Sequence, residues 1–261
     1  MSYLVNNELT VPVEDLPRIM HALKDTQAIH TERGAKTFGF SRPVLPGVLL
    51  SAYARQAVSA LRNGQFCEQR TLFAQPALAG DTVHFVVDGQ DDQFAVTGIL
   101  EGKKAFRSRI RYGTVAPEPV AATPLYEPHR IAHPGERLRA IGQFYRGIGQ
   151  ECIDDVELSS LVLAHSVPPL LALKEQLFAD TDYVIAEHRI QALRPLSDPA
   201  RGETSVFTDA IAVTSHDIDS RGRVTAGLHG FSDYFPEPTF AVTYKLIPLH
   251  RPVTPLSDQS K

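Results

Sequence analysis

Asp25 and His30 stand five positions apart in KDTQAIHTERGAKTFGFSRPVLPGVLL, residues 24–50. A carboxylate beside an imidazole can share one water molecule and pass its protons, because histidine titrates near neutral pH while the carboxylate stays ionised there. Gln27 lies between them with an amide that both donates and accepts hydrogen bonds. Downstream, Pro46-Gly47 leads into an apolar run, and Gly47 has no side chain to obstruct a group approaching the backbone there. A further candidate set is FRSRIRYG, where Arg107, Arg109 and Arg111 alternate with Phe106, Ser108, Ile110 and Tyr112. Three cations on one strand face suit phosphate groups, or simply a solvated surface. Cys152 near Asp154, Asp155 and Glu157 has no histidine or second cysteine at ligand spacing, so no metal is expected. No Walker loop or GxGxxG motif occurs, and no cofactor is implied.

The elements that must position these residues follow from periodicity. Leu4 to Val13 reads as a strand and Asp15 to Lys24 as a short helix, with Pro17 tolerated in its first turn. The stretch carrying Asp25 and His30 reads as a loop. Val48 to Arg62 has apolar residues at helical spacing and stops at Asn63-Gly64. Four segments rich in β-formers follow, at Arg70 to Gln75, Thr82 to Asp88, Gln93 to Glu101 and Lys104 to Tyr112.

The Pro-rich APEPVAATPLYEP, residues 116–128, interrupts this pattern and reads as a linker between a first unit, 1–115, and a second, 129–261. Beyond it the plan restarts. Glu136 to Tyr145 is a helix candidate, SSLVLAHSVPPLLALKEQL mirrors FSRPVLPGVLLSAYARQAV, and strands are expected at Val184 to Leu193, Thr204 to Val213, Arg223 to Tyr234 and Thr239 to Ile247. Pro46 matches His165 (165 − 46 = 119) and Pro76 matches Pro195 (195 − 76 = 119). After these prolines the offset becomes 122 (202 − 80), a three-residue loop insertion that costs a duplicated fold little. One helix and several antiparallel strands, written twice, imply an α+β architecture in which each sheet covers one helix.

Composition sets the outer bounds. The chain has 261 residues, 43% hydrophobic and 21% charged, as in ordinary globular proteins. A net charge of −4 offers no electrostatic case for a nucleic-acid partner. Two cysteines, Cys67 and Cys152, and an N-terminus without a signal-like apolar run suggest the cytoplasm. No apolar run reaches the ~20 residues that span a bilayer, so no membrane association is expected.

The stretch from Asp25 to Gly47 resembles the hydratase motif of the MaoC-like, (R)-specific enoyl-thioester hydratase and dehydratase family. There an Asp and a His five positions apart in a DxNPxH loop are followed by an Arg-Pro pair and a glycine-started helix. Asp25 and His30 match the dyad, HTERGAKTFGF the following stretch, and RPVLPG the helix entrance. The resemblance implies a double hot-dog fold, two fused units each wrapping a sheet around a central helix. It implies reversible hydration of a 2-enoyl thioester, or dehydration of the 3-hydroxyacyl form, on coenzyme A or acyl carrier protein. Asp25 and His30 would act on the water. Backbone N–H at Gly47 would hold the thioester oxygen as charge develops on it. Gln27 would assist in substrate binding, and Arg107, Arg109 and Arg111 would meet the carrier's phosphates. Assembly of the pseudo-dimer into a homo-oligomer is a further expectation.

The sequence departs from that family at three places: Gln27 and Ala28 replace its Asn and Pro, and Pro46-Gly47 replaces its His-Gly, as in FabZ-type dehydratases. The FabZ catalytic histidine and helix carboxylate would fall near Phe38 and Ala52, so that chemistry lacks its residues. Moving the dyad by 119 lands on Phe144 and Gly149, which cannot move protons, while His165-Ser166 keeps a family-like helix entrance. The second unit is therefore expected to be structural or substrate-holding. Alternative readings are a hot-dog acyl thioesterase, a cyclase or condensing enzyme acting on an acyl thioester, and a non-catalytic acyl-carrier binding module.

Overall fold

The computed structural model describes residues 4–61, 64–115, 120–130, 154–177, 182–194, 210–232 and 235–249. Its first half runs β1 (Leu4–Val5), β2 (Glu8–Thr10), α1 (Leu16–Leu23), α2 (Glu32–Thr37), α3 (Gly47–Val58), β3 (Gln65–Phe73), β4 (Thr82–Gln90), β5 (Gln93–Leu100) and β6 (Lys103–Gly113). The second runs β7 (His129–Arg130), α4 (Asp154–Leu177), β8 (Asp182–Ala192), β9 (Ala210–Ile218), β10 (Val224–Ser232) and β11 (Phe235–Leu249). The helix candidate Glu136 to Tyr145 and residues 116–119 of the Pro-rich stretch lie outside the described residues, as do 204–209 and 233–234 of two expected strands.

Three expectations about the first half need correction. Leu4 to Val13 is a tight hairpin, not one strand, because Asn6 and Asn7 both take left-handed φ values, 52° and 63°. Asparagine tolerates that region, which suits a two-residue hairpin turn. The stretch read as a loop contains a 3-10 turn, Ala28–His30, and α2. Thr31 caps α2 by accepting the Gly34 N–H through its hydroxyl at 3.0 Å, and Glu32 follows in the first turn. Finally, α3 ends at Val58, short of Arg62.

The strands form one antiparallel sheet in the order β1-β2-β4-β5-β6-β3-β8-β11-β10-β9-β7. Residues Val48 to Arg55 of α3 are all buried, the signature of a helix enclosed on every side. Buried side chains of β3 to β6, such as Phe66, Phe85, Phe94 and Phe106, belong to the same core as Val167, Leu170, Ile190 and Phe240 of the second half.

The halves meet where β3 pairs with β8, and Arg70 sits directly opposite Arg189. These two arginines are 119 positions apart (189 − 70), and so are Glu68 and Glu187 (187 − 68). Arg70 Nε donates to Glu187 at 2.7 Å and Arg189 Nε donates to Glu68 at 2.6 Å. The sequence repeat is thus a local two-fold relationship, marked by reciprocal ion pairs. The expected offset of 122 does not persist: β6 places Arg109 beside Arg70 and β11 places Thr243 beside Arg189, 134 apart (243 − 109). Further length is inserted in the second half between Arg189 and Thr243.

Candidate active site

Helix α1 ends in Lys24, whose left-handed φ of 52° turns the chain so that the Asp25 amide donates back to the Met20 carbonyl at 3.1 Å. Asp25 Oδ1 accepts the Gln27 N–H at 3.0 Å, a local side-chain turn. The 3-10 turn then carries His30 inward. Its Nδ1–H donates to the Val44 carbonyl at 2.6 Å, leaving Nε2 3.3 Å from Asp25 Oδ2. Gly34 makes this turn possible: a Cβ there would lie 2.0 Å from the Ala28 carbonyl oxygen.

Both groups of the dyad are buried. Burial alone would raise the pKa of Asp25, but the hydrogen bond and charge of His30, with Gln27, hold it below the ordinary carboxylate value. Burial would likewise lower His30, yet Asp25, the Val44 carbonyl and the charge of Asp182 raise it above 6.5. Each group thus favours the charged form of the other: His30 stabilises the Asp25 carboxylate, and Asp25 stabilises protonated His30. Sequence reasoning placed His30 near its neutral midpoint; the buried carboxylates move it upward.

The other side of this loop is tied to the second half. Asp182 Oδ2 accepts the Ile29 N–H at 3.3 Å, and Gln27 Oε1 accepts the Tyr183 N–H at 3.3 Å. Lys174 Nζ donates to Asp182 Oδ1 at 2.9 Å. Sequence reading missed Lys174 and Asp182, because Glu175 and Asp180 stand beside them and nothing local tells the buried charges from their neighbours.

Asp25, Gln27, His30 and Gly47 line one cavity of about 170 Å³. Gly47 opens α3 after an extended Pro46, and no side chain caps the helix, so its first N–H groups point outward at its start. The Phe73 ring packs where a Cβ on Gly47 would come within 3.1 Å. Gln75 and Tyr183 also line it, and the rest of the wall is largely apolar, with Val48 and Leu50 from the first half and Val167, Leu170, Ile185 and Leu246 from the second.

Arg107, Arg109 and Arg111 are not brought into this site. They project from the exposed face of β6, while Phe106, Ser108, Ile110 and Tyr112 face the core. His165-Ser166 is not a helix entrance either: α4 begins at Asp154, and Pro168 and Pro169 fall inside it. The second half therefore offers no helix N-terminus where α3 has one. His165 instead stacks on His129 at 5.7 Å, and burial, aided by Lys24 and His129, pushes its pKa down to about 3. Phe144, Gly149 and Cys152 lie outside the described residues. Among the described residues no cluster of three or more His, Cys, Asp or Glu could hold a metal, and no helix is long and apolar enough to cross a membrane.

No protein-family model and no curated protein matches the sequence. Among solved structures the chain is similar to a MaoC-like dehydratase, at 13% identity and a TM-score of 0.58, over 94% of this chain and 96% of that one. It is also similar to a conserved Mycobacterium tuberculosis protein described as a double hot-dog, at 11% identity and a TM-score of 0.51, over 95% of each chain. The chain has a double hot-dog fold. An acyl-CoA thioesterase II from Mycobacterium marinum is similar as well, at 13% identity and a TM-score of 0.50, over 80% of this chain and 90% of that one. The double hot-dog frame thus occurs with more than one chemistry. In it, α3 and α4 are the two central helices, and the cavity lies where the first half's loop and helix start meet α4, β8 and β11 of the second.

Proposed function

We propose that this double hot-dog protein catalyses reversible addition of water across the C2–C3 double bond of a 2-enoyl thioester, carried on coenzyme A or acyl carrier protein. The observation that supports it is the buried Asp25–His30 pair, 3.3 Å apart, lining the same cavity as the uncapped start of α3.

Hydration needs a base for water and an acid for C2, and a carboxylate beside a protonated imidazole supplies both. A water held against the pair from the cavity side gives a proton to Asp25 as its oxygen attacks C3. The electrons move to the thioester oxygen, where the N–H groups at Gly47 stabilise the enolate without rearrangement. His30 then delivers its proton to C2, and transfer from Asp25 back to His30 restores the pair. In this account Gln27 positions the loop through Asp25 and Tyr183.

Hydrolysis of the thioester is the second reading, favoured by the likeness to the acyl-CoA thioesterase. It would require water activation at the carbonyl and a proton for the departing thiolate, so the two readings differ in where His30 delivers its proton, to sulfur or to C2. The two are separated by following crotonyl-CoA at the enoyl-thioester absorbance while a thiol reagent reports free coenzyme A. Loss of absorbance without thiol supports hydration; thiol release at the same rate overturns it.

A further inference from the structure

Two polar contacts reach the Asp25–His30 loop from the start of β8: the Tyr183 N–H donates to Gln27, and a buried carboxylate accepts from the turn itself. Asp182, at the start of β8, accepts the backbone N–H of Ile29, the residue between Ala28 and His30 in the 3-10 turn, at 3.3 Å. Its other oxygen accepts from Lys174 Nζ, on α4, at 2.9 Å. Asp182 is 6% exposed and Lys174 8%, so both charges are held out of water. Removing a charge pair of this kind from water is costly, and in some proteins such a pair fixes a geometry that apolar packing would not specify. Here the geometry is that of a 3-10 turn, which has few hydrogen bonds of its own.

We propose that Asp182, held by Lys174, is a positioning residue that the second half contributes to the first half's site, clamping the turn that presents His30 to Asp25. The second unit, which lacks a helix N-terminus at the equivalent point, would then be more than a wall: it completes the site. Lys174 corresponds to Arg55 of α3 under the 119-residue offset (174 − 55), and both are buried. The first half turns its buried cation to Gln69 within its own sheet, whereas the second half turns its cation to the clamp. The duplicated position has thus diverged in the direction of the neighbour's site.

The charges around His30 agree with this role. Asp25 faces it from its own loop and Asp182 from β8, and each raises the imidazole pKa. Lys174 neutralises Asp182 from α4, and Glu175 lies 3.9 Å from Lys174 at the exposed end of the group.

This inference rests on the hydratase reading for its role in turnover, but its test does not. The full-length protein with labelled histidines is titrated by NMR, and His30 is assigned from the signal lost in His30→Gln. Two variants are compared with wild type: Asp182→Asn, which keeps an acceptor for Ile29, and Lys174→Met/Asp182→Asn, which leaves neither buried charge alone. Both are expected to move the His30 midpoint to lower pH. Where wild type hydrates crotonyl-CoA, kcat is expected to fall about 10-fold or more with a smaller change in KM, since displacement of a reacting group by ~1 Å can cost up to ~10²-fold. A folded double variant whose His30 titrates as in wild type overturns the clamp. Wild-type protein that leaves crotonyl-CoA unchanged overturns the hydratase reading instead, and the imidazole titration still decides the role of Asp182.

Discussion

The Nε2 atom of His30 lies 3.3 Å from Oδ2 of Asp25, with both side chains buried. This contact has a signature in stability against pH. The folded pKa of Asp25 is below its unfolded value, so its contribution is present above the ordinary carboxylate pKa and is lost as pH falls through the lowered one. The folded pKa of His30 is above its unfolded value, so its contribution is fully present below about pH 6.5 and is lost as pH rises through the raised one. Both are in place between roughly pH 4 and pH 6.5. The difference in melting temperature between wild type and His30→Gln, followed by calorimetry, should be largest there and shrink on either side.

Removal of either member should be felt in turnover. Asp25→Asn and His30→Ala are each expected to lower the rate on a 2-enoyl thioester by about 10²-fold or more, the usual worth of a general acid or base. Rates like those of wild type in both folded variants would remove the pair from the mechanism.

Glycines 34 and 47 should fail differently. At Gly34 an added Cβ meets the Ala28 carbonyl at 2.0 Å, and backbone cannot yield, so Gly34→Ala should cost about 1–3 kcal/mol or more in denaturant unfolding. At Gly47 the obstacle is the Phe73 ring at 3.1 Å, which can shift by tenths of an ångström. Gly47→Ala should stay near wild-type stability yet lose about 10-fold in kcat, because an oxyanion donor is worth about 10²–10³ when lost outright and the substitution displaces it only in part.

His188 gives a prediction independent of the reaction. It is fully buried in β8 between the rings of Phe73 and Tyr244, and neither ring nitrogen has a hydrogen-bond partner among the described residues. Burial, with help from Arg55, pushes its pKa down to about 3. The native protein therefore keeps His188 neutral where the unfolded chain binds a proton, and stability is lost as pH falls below about 6.5. His188→Leu should raise the melting temperature, and by more at pH 5 than at pH 8; the difference should be about 2 kcal/mol, at ~1.4 per pH unit.

Much of this arrangement was legible in residue order. Alternation in FRSRIRYG placed β6 and told its two faces apart, but not that the arginine face points away from the cavity, since period-two patterning is blind to what lies beyond the sheet. The 119-residue repeat was readable because Arg70 and Arg189 lie beside the two-fold axis, where neither copy can slip without breaking the β3–β8 pairing. It failed farther out, at Arg109 and Thr243, where insertions accumulate in connections. Asp25, His30, Gln27 and Gly47 could be grouped from local spacing and do line one cavity. Asp182 could not, because it meets Ile29 across 153 positions of chain, a contact only the folded sheet creates. His165-Ser166 reads as a helix entrance because the 119-residue offset lays it on Pro46-Gly47, yet the structure runs α4 from Asp154 through Pro168 and Pro169.

The central claim is that the Asp25–His30 pair adds water to a carbon–carbon double bond and leaves the thioester intact. Its most direct measurement is mass spectrometry of a panel of 2-enoyl and 3-hydroxyacyl thioesters, on coenzyme A and on acyl carrier protein, incubated with the full chain. The expected result is an interconversion of 18 daltons with the carrier still attached, lost in His30→Ala. Release of free carrier, or substrates returned unchanged by a folded protein, would contradict it.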